Sequence, residues 1–159
     1  MSNLLFPIKN KWDYRFMKRA EENASWSKDP RKKVGAVISY GNRIVSNGFN
    51  GFPCGFKDTD ERLSDKKFKN AHTIHAEINA ILFSQQPLEG CTIYVWPLPP
   101  CVPCACVIAQ SGISRVVSLQ IDRESSWYEP TLEGERIFDE VGISTRYVPN
   151  MKWLEKDRG

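Results

Sequence analysis

The sequence predicts an α/β fold in which helices cover both faces of one sheet, and three observations lead there. Segments with apolar residues at helical spacing alternate along the chain with short β-branched and aromatic runs. A helix-patterned segment separates the last two strand-patterned runs, which makes those two strands parallel, because a parallel pair requires a crossover. The length of 159 residues suits a single domain spanning 1–159, enough for one core and too short for two comfortable ones.

Taken in order, "KWDYRFMKRAEENAS" at 11–25 sets Trp12, Phe16, Ala20 and Ala24 four apart on one face of a first helix. After the turn-rich "SKDPRK", the runs "VGAVIS" and "RIVSNGF" flank "YGN" and read as a β-hairpin. From Asn50 to His72 the chain is polar, rich in glycine and charge, and without period. It reads as one long loop, of a size usually functional or mobile. A second helix, from about His75 to Ser84, precedes the strand "CTIYVW". "PLPP" breaks the chain, and "CVPCACVIAQSG" makes a third helix that ends at Gly112, a natural left-handed stop. There follow a strand, "RVVSL", a loop to about Thr131, a helix through "LEGERIFDEVG" and a last strand, "STRYV". The "EKDRG" tail is expected to fray, and no internal repeat is present.

The formal charge of +3 is slight and lacks the concentrated basic stripe of an electrostatic nucleic-acid binder. No apolar run approaches the roughly 20 residues needed to span a bilayer, and the N-terminus lacks a basic segment followed by an apolar secretory core. A cytoplasmic protein with no membrane partner is therefore expected. Five cysteines, three of them crowded into "CVPCAC", make a poor disulfide framework and point to metal or catalysis in a reducing compartment.

Chemistry concentrates at two places. "TIHAEINAI" carries His75 and Glu77 two apart, a spacing that lets both side chains approach a common point only at a helix end. "PPCVPC" carries Cys101 and Cys104 three apart, on one helix face at a first turn, where the helix dipole favours the thiolate. Two thiolates and an imidazole suit zinc, and three protein ligands leave a fourth tetrahedral position for water, as in a catalytic site. Each half alone also fits something plainer: a satisfied histidine beside a solvated glutamate, or a redox pair, or half of a structural zinc knuckle. A thioredoxin-type site would leave His75 and Glu77 unused. Cys106, two past Cys104, is expected to be a small core residue; Cys91, opening a strand, and Cys54, in the long loop, are expected to be non-ligands.

Together the halves resemble the signature of the zinc-dependent deaminases, H-x-E followed by P-C-x-x-C. The chemistry suits the residue types: zinc makes hydroxide available near neutrality, and one carboxyl group, Glu77, serves as base and then as acid. "WSKDPRKKVGAVI", "GFNGFPCGF", "HAEINAIL" and "GCTIYVWPLPPCVPCACVIAQSGISRVV" follow one another at the spacing of the deoxycytidylate (dCMP) deaminases and their bacterial and phage relatives, a resemblance covering roughly residues 12–148. The resemblance implies a three-layer α/β/α cytidine-deaminase-like fold with a five-stranded mixed sheet in order 2-1-3-4-5, Zn2+ as cofactor, hydrolysis of dCMP to dUMP, and a homo-oligomer. Carried over by residue, it implies His75, Cys101 and Cys104 as zinc ligands, Glu77 as proton shuttle, Asn50 at the sugar, and Ser27 and Lys28 near the nucleotide phosphate.

The sequence departs from the family in two places. The long loop offers only Cys54 and His72 as soft ligands, too few for the second, structural zinc of many dCMP deaminases, and "WPLPPC" is richer in proline than the usual approach to the cysteines. Trp127 and Tyr128, aromatics of a loop, could stack on a base or sugar, but such aromatics are commonly just packing, and the pair is left out of the candidate site. Three other readings stay open: a deaminase of a free cytidine nucleoside, one of a base within RNA or DNA, which the lack of a basic run argues against, and a non-catalytic zinc-stabilised module, in which Glu77 would be replaceable.

Overall fold

The structure is a computed structural model that describes residues 11–149, so the "EKDRG" tail lies outside the described residues. Strands β1 (Gly35–Tyr40) and β2 (Arg43–Phe49) form the antiparallel hairpin, with an irregularity in register after Ile38. On its other side β1 pairs antiparallel with β3 (Thr92–Trp96); β3 runs parallel to β4 (Arg115–Leu119), and β4 parallel to β5 (Ser144–Val148). The result is a five-stranded mixed sheet in order β2-β1-β3-β4-β5, with the last two strands parallel, as the sequence implies.

Both faces of the sheet are covered, and the alternation within β1 shows how. Val37 faces helix α1 (Lys11–Ser25), whose Phe16, Met17 and Ala20 pack with Tyr94 and Val117. Ala36 and Ile38 face the opposite layer, where Ala80 of α4 (Ala76–Leu82), Ile108 of α5 (Val102–Ser111) and Phe138 of α6 (Tyr128–Val141) close the larger core. Glycines set the spacing on either side. A Cβ at Gly35 would run into the Ala20 carbonyl of α1, and one at Gly48 into the Ala76 carbonyl and the Ala80 amide of α4. Among the described residues no helix is long and apolar enough to cross a membrane.

The structure corrects the expectation of one long loop over 50–72, which contains two short helices, α2 (Asp60–Ser64) and α3 (Lys66–His72). Neither has an apolar period; each is started by a side-chain cap, Thr59 accepting from the Arg62 amide and Asp65 from the Phe68 amide. Phe56, Phe68 and His72 stack, with ring centroids 4.0 Å apart for Phe68 and His72, and Phe52 meets Phe56 edge-on at 5.4 Å. The excursion is closed at its base by a reciprocal pair of backbone hydrogen bonds between Gly51 and Ile74, of 3.1 and 2.8 Å. A second correction concerns α6, which begins at Tyr128 rather than after Thr131. Pro130 sits in its first turn, where a missing N–H costs nothing.

On the α1 face, Asp13 is buried and its carboxylate ties three strands to the helix. It accepts from Arg115 at 2.9 and 2.6 Å, from Arg146 at 2.9 Å and from the Tyr94 hydroxyl at 2.7 Å. Burial alone would raise its pKa; the Arg115 and Tyr94 hydrogen bonds and the two guanidinium charges outweigh burial and hold it below the ordinary value of 3.8. A folded pKa below the unfolded one means that the contribution is complete above the unfolded value and vanishes as pH falls through the folded one. Asp13→Asn is therefore expected to cost about 3–5 kcal/mol at neutral pH. In urea titrations that gap should narrow as pH is taken below 3.8; a gap independent of pH would contradict the ionic role.

Candidate metal centre and active site

The pairing of Gly35 with Trp96 brings the start of β1 beside the end of β3. The turn that enters β1 and the helix that follows β3 therefore meet at one end of the sheet, where open α/β sheets hold their ligands. His75 is the N-cap of α4 and Cys101 the N-cap of α5; both have extended backbones and neither side chain caps its own helix. The side chains turn toward each other instead. His75 Nδ1 lies 3.2 Å from Cys104 Sγ and 3.4 Å from Cys101 Sγ, and the three donor atoms all fall within 4.8 Å of one another. With Zn–N near 2.1 Å and Zn–S near 2.3 Å, a tetrahedral ion needs an N···S separation of about 3.6 Å. The cage as folded is within a few tenths of an ångström of that, and its two sulfurs and one imidazole are the donor set zinc prefers.

The electrostatics match. The hydrogen bond with Cys104 is the largest influence on Cys101 and, with the His75 bond and charge, drives its thiol down to about 4 against the opposing effect of burial. That same bond, burial and the Glu77 charge push Cys104 up. His75 is raised, first by its bond with Cys101. Glu77, in the first turn of α4, is only 4% exposed, with Oε2 3.7 Å from Cys104 Sγ. Burial is the main cause of its raised pKa.

Among the described residues, His75, Cys101 and Cys104 are the one group of three or more metal-ligating side chains whose donors converge. Cys91 is buried and Cys54 exposed, and neither joins the group. Cys106 is exposed, which corrects the expectation that it packs in the core: the face of α5 turned to the sheet carries Cys104, Ala105 and Ile108.

A cavity of about 550 Å³ opens over the centre and is lined by His75, Glu77 and Cys101. Leu98, Pro99 and Trp127 give it apolar surface, and Arg31, Lys32 and Lys66 give it positive charge. Asn50 also lines it. Its Oδ1 accepts from the Val34 amide at 2.9 Å and its Nδ2 donates to the Lys32 carbonyl at 2.9 Å, which leaves one amide hydrogen to offer. Ser27 is buried behind this wall, its hydroxyl donating to the Asn50 carbonyl at 2.8 Å. Lys28 faces a neighbouring cavity, where its Nζ pairs with Asp58 at 2.6 Å. The sequence reading missed Lys66 and set Trp127 aside, and both line the cavity. Lys66 was hidden in a segment without period; Trp127 had a signal, a large aromatic just ahead of a helix, and is 48% exposed at the cavity.

The model of the cytidine and deoxycytidylate deaminase zinc-binding region matches residues 10–120. The chain is 45% identical over 142 residues to an uncharacterized deaminase in the luxG 3′ region of Aliivibrio fischeri, covering 88% of this chain and 95% of that one. It is 34% identical over 148 residues to the deoxycytidylate deaminase of Homo sapiens, covering 87% and 80%. The dCMP deaminase of cyanophage S-TIM5, solved in complex with dCMP and dUMP, has the same fold with a TM-score of 0.71 at 26% identity, covering 89% of this chain and 100% of that one. His75, Cys101 and Cys104 thus form a zinc site. Elemental analysis is expected to find one zinc per chain. Cys101→Ala combined with Cys104→Ala should abolish it and lower the melting temperature, since the ligands join two helices; full retention of zinc would remove the assignment.

Proposed function

The chain belongs to the cytidine and deoxycytidylate deaminase family, and we propose that within it this protein hydrolyses dCMP to dUMP and ammonia. The observation that carries the proposal is a single cavity that joins the metal donors and Glu77 to the cationic side chains of Arg31, Lys32 and Lys66. A pyrimidine monophosphate has the matching chemistry, an amidine carbon at one end and a dianion at the other. Relatives named as deoxycytidylate deaminases support the same substrate.

His75, Cys101 and Cys104 would hold the zinc, which would make a water available as nucleophile at neutral pH by lowering its pKa. Glu77 takes up the protons of that water in turn and delivers them, the first to N3 of cytosine and the second to the departing amino group, so that dCMP and water give dUMP and ammonia. Its burial supports this role, because burial raises the pKa of the carboxyl group and so eases the uptake of a proton that it then returns. Asn50 offers its remaining Nδ2 hydrogen to the sugar, and Ser27 acts from behind, through Asn50. Arg31, Lys32 and Lys66 take the phosphate in place of Lys28. A cytoplasmic, reducing location belongs to the proposal and is supported by five free cysteines. So does a homo-oligomer, supported by exposed Ile44 and Phe49 on the edge strand β2 and exposed Trp26 against Phe49.

Glu77→Gln is expected to retain zinc and fold while losing a factor of about 10²–10⁴ or more in turnover, since the amide keeps the shape and removes proton transfer. Half of wild-type activity in that variant would exclude the shuttle role.

The substrate is tested by ammonia release from dCMP, CMP, deoxycytidine, dCTP and a single-stranded oligonucleotide. One charge-assisted phosphate contact contributes about 1.5–3 kcal/mol, and each 1.4 kcal/mol is about tenfold, so kcat/KM for dCMP should exceed that for deoxycytidine by well over tenfold. The advantage should shrink as ionic strength rises. Equal values at low salt would point to a nucleoside deaminase, and fastest turnover of the oligonucleotide to a base within nucleic acid.

A further inference from the structure

The cationic side of the cavity is also lined by an ion pair that the chemistry above does not use. Asp29 and Lys69 form an ion pair with both side chains buried, 8% and 4% exposed, and Lys69 Nζ is 2.7 Å from each carboxylate oxygen. The two residues are 40 apart in sequence, one in the turn before β1 and the other in α3. Asp29 Oδ1 also accepts from the amides of Arg31 at 2.8 Å and Lys32 at 3.0 Å, and the Asp29 amide donates to Ser27 Oγ at 3.2 Å. Burial opposes ionisation of Asp29, but the Lys69 bond and the two amides prevail and hold its pKa below the ordinary value.

A buried ion pair adds little stability over apolar packing, so its value lies in the geometry it fixes. Here it fixes two segments that carry the cavity's positive charge: Arg31 and Lys32 follow Asp29 in the turn, and Lys66 precedes Lys69 by one helical turn of α3. None of these three cations is paired with a carboxylate among the described residues, whereas Lys69 is neutralised by Asp29. We infer that Asp29 and Lys69 are a positioning pair for nucleotide selectivity, locking the turn to α3 so that Arg31, Lys32 and Lys66 stand together where a substrate's phosphate arrives. The inference rests on the nucleotide reading of the cavity.

The test compares Lys69→Met with Asp29→Asn, which change the net charge in opposite directions. If the pair positions the cations, both variants raise KM for dCMP at least fivefold while kcat for dCMP and kcat/KM for deoxycytidine stay within twofold of wild type. If Lys69 merely adds to the field, the two variants move KM in opposite directions, and the inference fails. Equal losses on both substrates, or a fall in kcat alone, also overturn it. So does loss of the fold in both variants, judged by zinc content and thermal melting, because the pair would then serve stability. The nucleotide reading fails separately, in the wild-type protein, if dCMP has no advantage over deoxycytidine.

Discussion

The absence of a Cβ at Gly48 lets the backbone of α4 lie directly on β2, and where that helix lies decides where His75 and Glu77 stand. Two hydrogen bonds hold the contact: Ser46 Oγ donates to the Ala80 carbonyl at 2.6 Å, and Asn79 Nδ2 to the Phe49 carbonyl at 2.8 Å. The other helix of the centre is seated in a similar way, with Ala105 and Ile108 of α5 buried in the core and Gly134 of α6 close beneath the Pro100 carbonyl. Small residues at contacts between helices, and between helix and strand, therefore determine the separation of the donor atoms. Close-packed interiors deform little, so a cage set by backbone contacts is preorganised.

Two buried carboxylates outside the metal centre serve different tasks. Asp13 gathers two arginines and a tyrosine onto the face away from the metal centre and is satisfied entirely by side chains of strands. Asp29 gathers backbone amides and one lysine at the cavity wall, so its reach extends to the shape of a turn. In both, each buried acceptor has several donors, the condition under which a charge can be kept out of water.

Most of the fold was legible because burial imposes a period. The four-residue spacing of Trp12, Phe16, Ala20 and Ala24 marks α1, and the β-branched runs mark β1, β3 and β4. The segments α2 and α3 escaped because caps and stacked rings hold them, and neither leaves a hydrophobic stripe. The metal ligands were legible for a different reason: thiolate and imidazole chemistry restricts residue type and spacing, so the letters themselves carry the signal. The Asp29–Lys69 pair carried none. A lysine within "KKFKN" looks like solvated charge, and its partner is 40 positions away. Only the "DP" of the turn, with an acceptor side chain just before proline, hinted that Asp29 bonds its own backbone. Cys106 shows the opposite limit, since residue type suggested burial while helix phase turned it outward.

The reciprocal hydrogen bonds between Gly51 and Ile74 make the intervening segment a detour whose two ends are joined regardless of what happens along it. For such a detour the entropy of closure grows only with the logarithm of length, so doubling it costs about 0.6 kcal/mol. Lys69 anchors the returning limb to Asp29, and Phe52 and Phe56 fold the outgoing limb back onto Phe68 and His72. The detour thus reaches the metal centre only through its closed base and its last helix, where Lys66 and Lys69 meet the cavity.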